Sequence, residues 1–145
     1  MTKTRILSIA TLVIALGSFG CGKQMDYLKA RAALNKGVTA FSAASYERAA
    51  EHFETAFTLD SDLSDAKVYL AYSHMMQYVP GVESTENTAI ASKALEGFKA
   101  VLEDDPTNST SLQSIASLYF QMKKFEEAKD WHKKVIDAQP DNKDS

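Results

Sequence analysis

One cysteine, one tryptophan and three prolines stand among 145 residues, and the 16 basic side chains are outnumbered by 19 acidic ones. A lone cysteine, Cys21, excludes an internal disulfide framework and any multi-thiolate metal site. The shortage of positive charge deepens when the N-terminal stretch is set aside. Lys3 and Arg5 are its only charges, and removing them leaves 14 basic against 19 acidic residues, a net charge of −5. Such a surface repels phosphate backbones and anionic headgroups, which argues against nucleic acid as a partner and against polybasic membrane attachment. No run alternates apolar and polar residues with period two, so no sheet is expected. A nucleophile elbow, a phosphate loop and a zinc-helix motif are also missing, and the expectation is a non-catalytic chain of one domain with no cofactor and no metal.

What is present begins with an address. Lys3 and Arg5 precede an apolar run from Ile6 to Phe19, which ends in small residues around Cys21. This is the order of a secretory signal. As a helix the run would rise roughly 20 Å, short of the ~30 Å hydrocarbon thickness, so cleavage is expected rather than a span. The sole cysteine directly after the run, in Ser18-Phe19-Gly20-Cys21, resembles a bacterial lipoprotein signal, in which the cysteine becomes the lipidated first residue. Ordinary cleavage beside Ser18 and Gly20, which are both small, is the alternative, and an uncleaved anchor is the third possibility. With Asp26 read as the cap of the first helix, residues 21–25 form a tether reaching at most about 18 Å.

The rest of the chain repeats itself. Tyr46-Glu47-Arg48-Ala49 is followed by Phe53, and Phe125-Glu126-Glu127-Ala128 by Trp131 and His132, while Ala94 with Phe98 is a third copy. Ala94 and Ala128 lie 34 residues apart, as do Pro106 and Pro140. Ala49 and Ala94 lie 45 apart, which is one such period with an insertion of 11. Fixed periods of this size signal stacked helical hairpins. The spacing, with Gly37 or Ala at the helix crossings and proline at the close, resembles the tetratricopeptide repeat. That resemblance implies an all-α, right-handed superhelical solenoid of three helix-turn-helix repeats. The expected organisation is a signal peptide (1–20), a tether (21–25), a repeat domain (26–142) and a tail (143–145). Its repeats fall at about 30–63, 64–107 with the insertion, and 109–142.

Elementary packing accounts for the slots. Small residues at 37, 49, 71, 94, 116 and 128 let helix backbones approach, and Phe53, Phe98, Tyr119 and Phe125 are expected to fill the space between neighbouring pairs. Pro106 and Pro140 cannot continue a helix and each closes a pair. The aliphatic slot held by Leu70 and Ile115 becomes Lys36 in the first copy, and the Phe53/Phe98 slot becomes His132 in the last. Both ends are thus more polar where a solenoid meets water. Trp131, Val135 and Ile136 remain near the C-terminal end, however, which makes that face a candidate for self-association or for a capping partner.

Candidate chemistry is thin. His52, His74 and His132 sit in different repeats, and the last two occupy slots for packing residues. Asp60, Asp62 and Asp65 imitate the start of a calcium loop without its glycine or distal glutamate, so they are expected in the turn between repeats. Asn108-Ser109-Thr110 is formally a glycosylation acceptor.

The family resemblance implies a binding groove lined by the first helix of each repeat. From the first copy the lining would be Leu34, Val38 and Phe41; from the second Val68, Tyr72, Met75 and Met76; from the third Gln113, Ser117, Phe120 and Gln121. Leu34, Val38, Thr110 and Ser114 stand where the best-known peptide-binding version has Lys, Asn and Arg to clamp a terminal carboxylate, so that ligand is not expected. An apolar groove with adaptable methionines suits an apolar helix or extended segment. The insertion, roughly 77–88, contains the apolar turn Tyr78-Val79-Pro80-Gly81-Val82, and Tyr78, Val79 and Val82 are expected at the groove's rim. Ser84 or Thr85 would cap a lengthened helix behind it. Taken together, the expected protein is an exported scaffold in a bacterial cell envelope, anchored through lipidated Cys21 and facing the periplasm. It would bind a protein or peptide partner there, with a homo-oligomer through the C-terminal face, or an accessory role beside an envelope enzyme, as the alternative.

Overall fold

The computed structural model describes residues 3–138, with side chains from residue 23 onward. The expected signal segment and Cys21 therefore lie outside the described side chains, and Pro140 with the expected tail lies outside the described residues altogether. Six helices follow one another: α1 (Lys3–Ser42), α2 (Tyr46–Leu59), α3 (Ser64–Gln77), α4 (Thr85–Asp104), α5 (Ser109–Gln121) and α6 (Phe125–Ala138). No strand occurs among the described residues. Each helix packs mainly on its neighbours in sequence, with a smaller direct contact between α1 and α3. A chain whose elements touch mainly the previous and next ones is a solenoid, stabilised by stacking rather than by one central core.

The small residues do what their positions require. Ala49, Ala71, Ala94 and Ala116 are fully buried and Ala128 nearly so. Gly37 is the extreme case, because a Cβ there would stand 2.6 Å from the Phe53 ring. Gly97, which the repeat pattern does not single out, plays the same part against Ala71, whose Cβ would lie 2.8 Å away. Closeness at these points lets Phe53 and Phe98 fill two successive cores without remaining exposed. The Phe53 ring stacks on Tyr69 at 5.3 Å between centroids, and Phe98 meets Tyr72 edge-on at 5.1 Å. Phe125 departs from expectation: it lies exposed on the terminal helix, since no further pair follows it among the described residues to bury the ring.

Turns explain the connections. Ala44 and Lys123 both have positive φ (56° and 60°), and the residues after them donate back to Ala40 and Tyr119 carbonyls at 2.9 Å. The first and third hairpins thus share one left-handed C-cap, which costs a non-glycine residue roughly 1 kcal/mol that the satisfied carbonyls offset. Between hairpins, Asp60 accepts from the Asp62 amide and Asp105 from the Thr107 amide, both at 3.2 Å; Asp60 and Asp62 lie in the turn as expected, whereas Asp65 lies in the first turn of α3. No acidic or serine side chain caps α3, because Leu63 occupies the N-cap position and packs into the core. Asp26 does not start a helix either. It lies inside the continuous α1, where it pairs with Lys29 at 3.8 Å, because no residue near it is a proline that would end the helix.

Gly37→Ala sets about 1–3 kcal/mol of overpacking against at most about 1 kcal/mol of gained helix propensity. The expected result is a net loss of stability, lowering the midpoint by about 5 °C in a thermal melt followed by circular dichroism. A rise in the midpoint would mean that Phe53 can shift aside.

Candidate functional site

The first helices of the three hairpins, α1, α3 and α5, carry the residues expected to line a groove. On α1, Val38 is 39% exposed, and Phe41 is half-buried with its ring edge-on to Tyr46 and Tyr69. Leu34 departs from the expectation: at 8% exposure it belongs to the first core cluster, with Phe53, Ala56 and Leu63, and offers little surface. On α3, Val68 and Tyr72 are half-buried, Met75 packs on the second core cluster, and Met76 is 48% exposed. On α5, Gln113 is exposed, Ser117 and Gln121 are half-buried and joined by a 3.3 Å side-chain contact, and Phe120 is 59% exposed.

These residues do not form one continuous trough. Val68 and Tyr72 share a cleft of about 420 Å³ with Asp65, Tyr69, Asn108 and Thr110, between α3 and the start of α5. The Tyr72 hydroxyl lies 3.2 Å from Ser114, whose own hydroxyl donates to the Thr110 carbonyl at 2.8 Å. Tyr72 is therefore a fixed wall. Gln121 belongs to a larger cavity of about 750 Å³, where Tyr78 and Val82 of the insertion face Lys123 and Lys124 of the last hairpin turn. Two of the three expected rim residues are thus brought together with the groove's far end. Val79 does not line that cavity, and its side chain is 52% exposed.

The insertion is built rather than loose. Ser84 caps α4 by accepting from the Asn87 amide at 3.0 Å, and the 20-residue α4 absorbs part of the extra length. Asn87, almost fully buried, then staples the loop. Its carboxamide oxygen accepts from the Val79 amide (2.9 Å), and its NH₂ donates to the Val79 and Val82 carbonyls (both 2.8 Å). Gly81 turns the chain at φ 82°, which a side chain would strain. The repeat pattern misses Asn87. The available signal was an asparagine three residues after a serine cap, behind a Pro-Gly turn.

No group of three or more His, Cys, Asp or Glu is placed to hold a metal ion among the described residues. Nor is any helix among them long and apolar enough to cross a membrane. His74 lies on α3 with Lys93 of α4 and Glu54 of α2 as its charged neighbours, so it belongs to the inter-helix packing. Burial, followed by the Lys93 charge, holds its pKa below the ordinary 6.5, and Glu54 opposes them.

The family profile described as Tetratricopeptide repeat matches residues 109–142. Solved structures extend the likeness across the stack. The Arabidopsis OM64 TPR domain is 13% identical with a TM-score of 0.64, covering 81% of this chain and 88% of that one. The fold is a tetratricopeptide-repeat solenoid. The second TPR domain of human RPAP3, in complex with the HSP70 peptide SGPTIEEVD, is 18% identical with a TM-score of 0.62, covering 84% and 90%. The first TPR of Spaghetti (RPAP3), bound to the HSP90 peptide SRMEEVD, is 16% identical with a TM-score of 0.62, covering 81% and 84%. A comparison with curated proteins finds no match.

Asn87→Ala leaves one amide and two carbonyls of the tetratricopeptide insertion without partners, at a cost of about 1–3 kcal/mol. Hydrogen exchange at the Val79 amide should quicken at least about tenfold while α1 and α2 stay protected. An unchanged Val79 rate would show that the staple is dispensable. For His74 the sign is set by its lowered pKa: the stability is full above pH 6.5 and falls as acid protonates the unfolded chain first. Urea titrations at pH 7.5 and 5.5 should show wild type losing more stability on acidification than His74→Gln.

Proposed function

We propose that this chain is an exported interaction scaffold, tethered to an envelope membrane through lipidated Cys21, that holds an apolar segment of a protein partner along α1, α3 and α5. The observation that carries the reading is the exposure of large apolar side chains, Val38, Met76 and Phe120, one on each of these three helices. Exposed apolar groups on a rigid frame mark docking surfaces rather than catalytic ones. Two tetratricopeptide structures of the same fold hold peptides ending in Glu-Val-Asp. The present groove does not suit an acidic peptide terminus, because Leu34 and Ser114 are buried and Val38 and Thr110 carry no charge. Met75 and Met76 favour an apolar segment that can be accommodated by rotamer adjustment. The insertion cavity, with Tyr78, Val82 and Gln121, would receive the flank of that segment. Export and lipidation rest on the order of Lys3, Arg5, the apolar run and Cys21.

One experiment tests both halves. A photo-crosslinking residue at Met76, introduced into cells grown with labelled palmitate, should capture a discrete envelope protein in the membrane fraction, and label should enter wild type but not Cys21→Ser. Replacing 78–82 by a Gly/Ser linker should weaken capture while helicity is retained. Label persisting in Cys21→Ser would remove the anchor, and the absence of any crosslink at Met76 would remove the groove.

A further inference from the structure

The last described hairpin, α5 and α6, presents an apolar face whose rim is cationic. Phe120, Phe125 and Ile136 are each more than half exposed and converge around Ala128 in a cleft of about 500 Å³. Phe120 and Phe125 meet edge-on at 5.5 Å, so the two rings form one platform. Lys129, His132 and Lys133 complete the lining, and no carboxylate takes part in it. Glu126 approaches Lys129 at 3.9 Å, but both side chains are largely exposed, and such a pair gives way at little cost. Along α6 the stripe from Phe125 to Ile136 covers three turns, roughly 16 Å, the length that one face of a packed helix presents.

Charge decides between occupants. A second copy placed face to face would set Lys129 and Lys133 against themselves. A copy stacked head to tail would meet the α1–α2 end, whose cleft is lined by Lys36, Arg48 and His52, also without a carboxylate. Both arrangements oppose like charges, although the chain as a whole is acidic. From this face we infer a second docking site, which adjoins the groove at Phe120 and extends away from it along α6, for an acidic amphipathic helix of a partner protein: its apolar stripe covers Phe120, Phe125 and Ile136, and its flanking Asp and Glu side chains meet Lys129 and Lys133.

Two labelled peptides of about 18 residues, roughly five helical turns, test the inference with the full chain. One carries leucines at three- and four-residue spacing with glutamates on both flanks, and its twin has lysine for every glutamate. In fluorescence anisotropy at low salt the acidic peptide should bind at least about tenfold tighter than its twin, and added salt should erode the difference. Lys129→Glu with Lys133→Glu should reverse the preference, and Phe125→Ala with Ile136→Ala should weaken the acidic peptide. Met76→Asp, in the groove, should leave that binding intact, so the failure of the groove reading and the failure of this one are separable. Equal affinity for the twins, indifference to charge reversal, or loss of binding in Met76→Asp would overturn the proposal. So would a wild-type dimer in sedimentation that Phe125→Ala dissociates, since the face would then belong to a second copy. Retained helicity in each variant excludes unfolding as the cause.

Discussion

The distance at which α1 crosses α2 governs much else in the molecule. Gly37 has no side chain, and the Phe53 ring occupies the space a Cβ would need. That close crossing allows a large aromatic to be fully buried between α1 and the 14-residue α2, which has too little apolar surface to form a core alone. The same solution recurs at Gly97 and Ala71 beneath Phe98. Once these crossings are set, the tyrosines of α3 fall into place as partners of the two rings, Tyr69 with Phe53 and Tyr72 with Phe98. The positions of Val68 and Met76 on α3 follow from that anchoring.

Periodic features were legible in the sequence because they arise from local rules repeated in register. Ala49, Ala94 and Ala128 with their following large residues disclosed the hairpins, and the buried positions match that reading. The non-periodic features were harder to read. Leu34 occupies a groove slot by register, but the first hairpin closes over it. Nothing in the spacing of Asp26 reveals that α1 runs past it, since a helix start requires a competing end to the preceding segment. Asn87 belongs to an insertion with no second copy to compare, and its three hydrogen bonds depend on a loop shape that only the folded chain defines.

The insertion also changes what a three-repeat stack offers a ligand. In the first and third hairpins a tight left-handed turn joins the helices, at Ala44 and Lys123. The second hairpin replaces that turn with a stapled loop that stands opposite Lys123 and Lys124, enclosing a cavity at one edge of an otherwise open face. Rigidity matters here, since a loop already held by Asn87 loses little conformational entropy when something binds against it.

Among the described residues, α3 is the helix that both cores share. Ala66 and Leu70 pack in the first cluster, while Ala71, Tyr72 and Met75 pack in the second, so the boundary between two cooperative units runs through the middle of a single helix. A rotation of a few degrees about its axis would tilt the first hairpin against the third, changing the pitch of the stack without breaking either core.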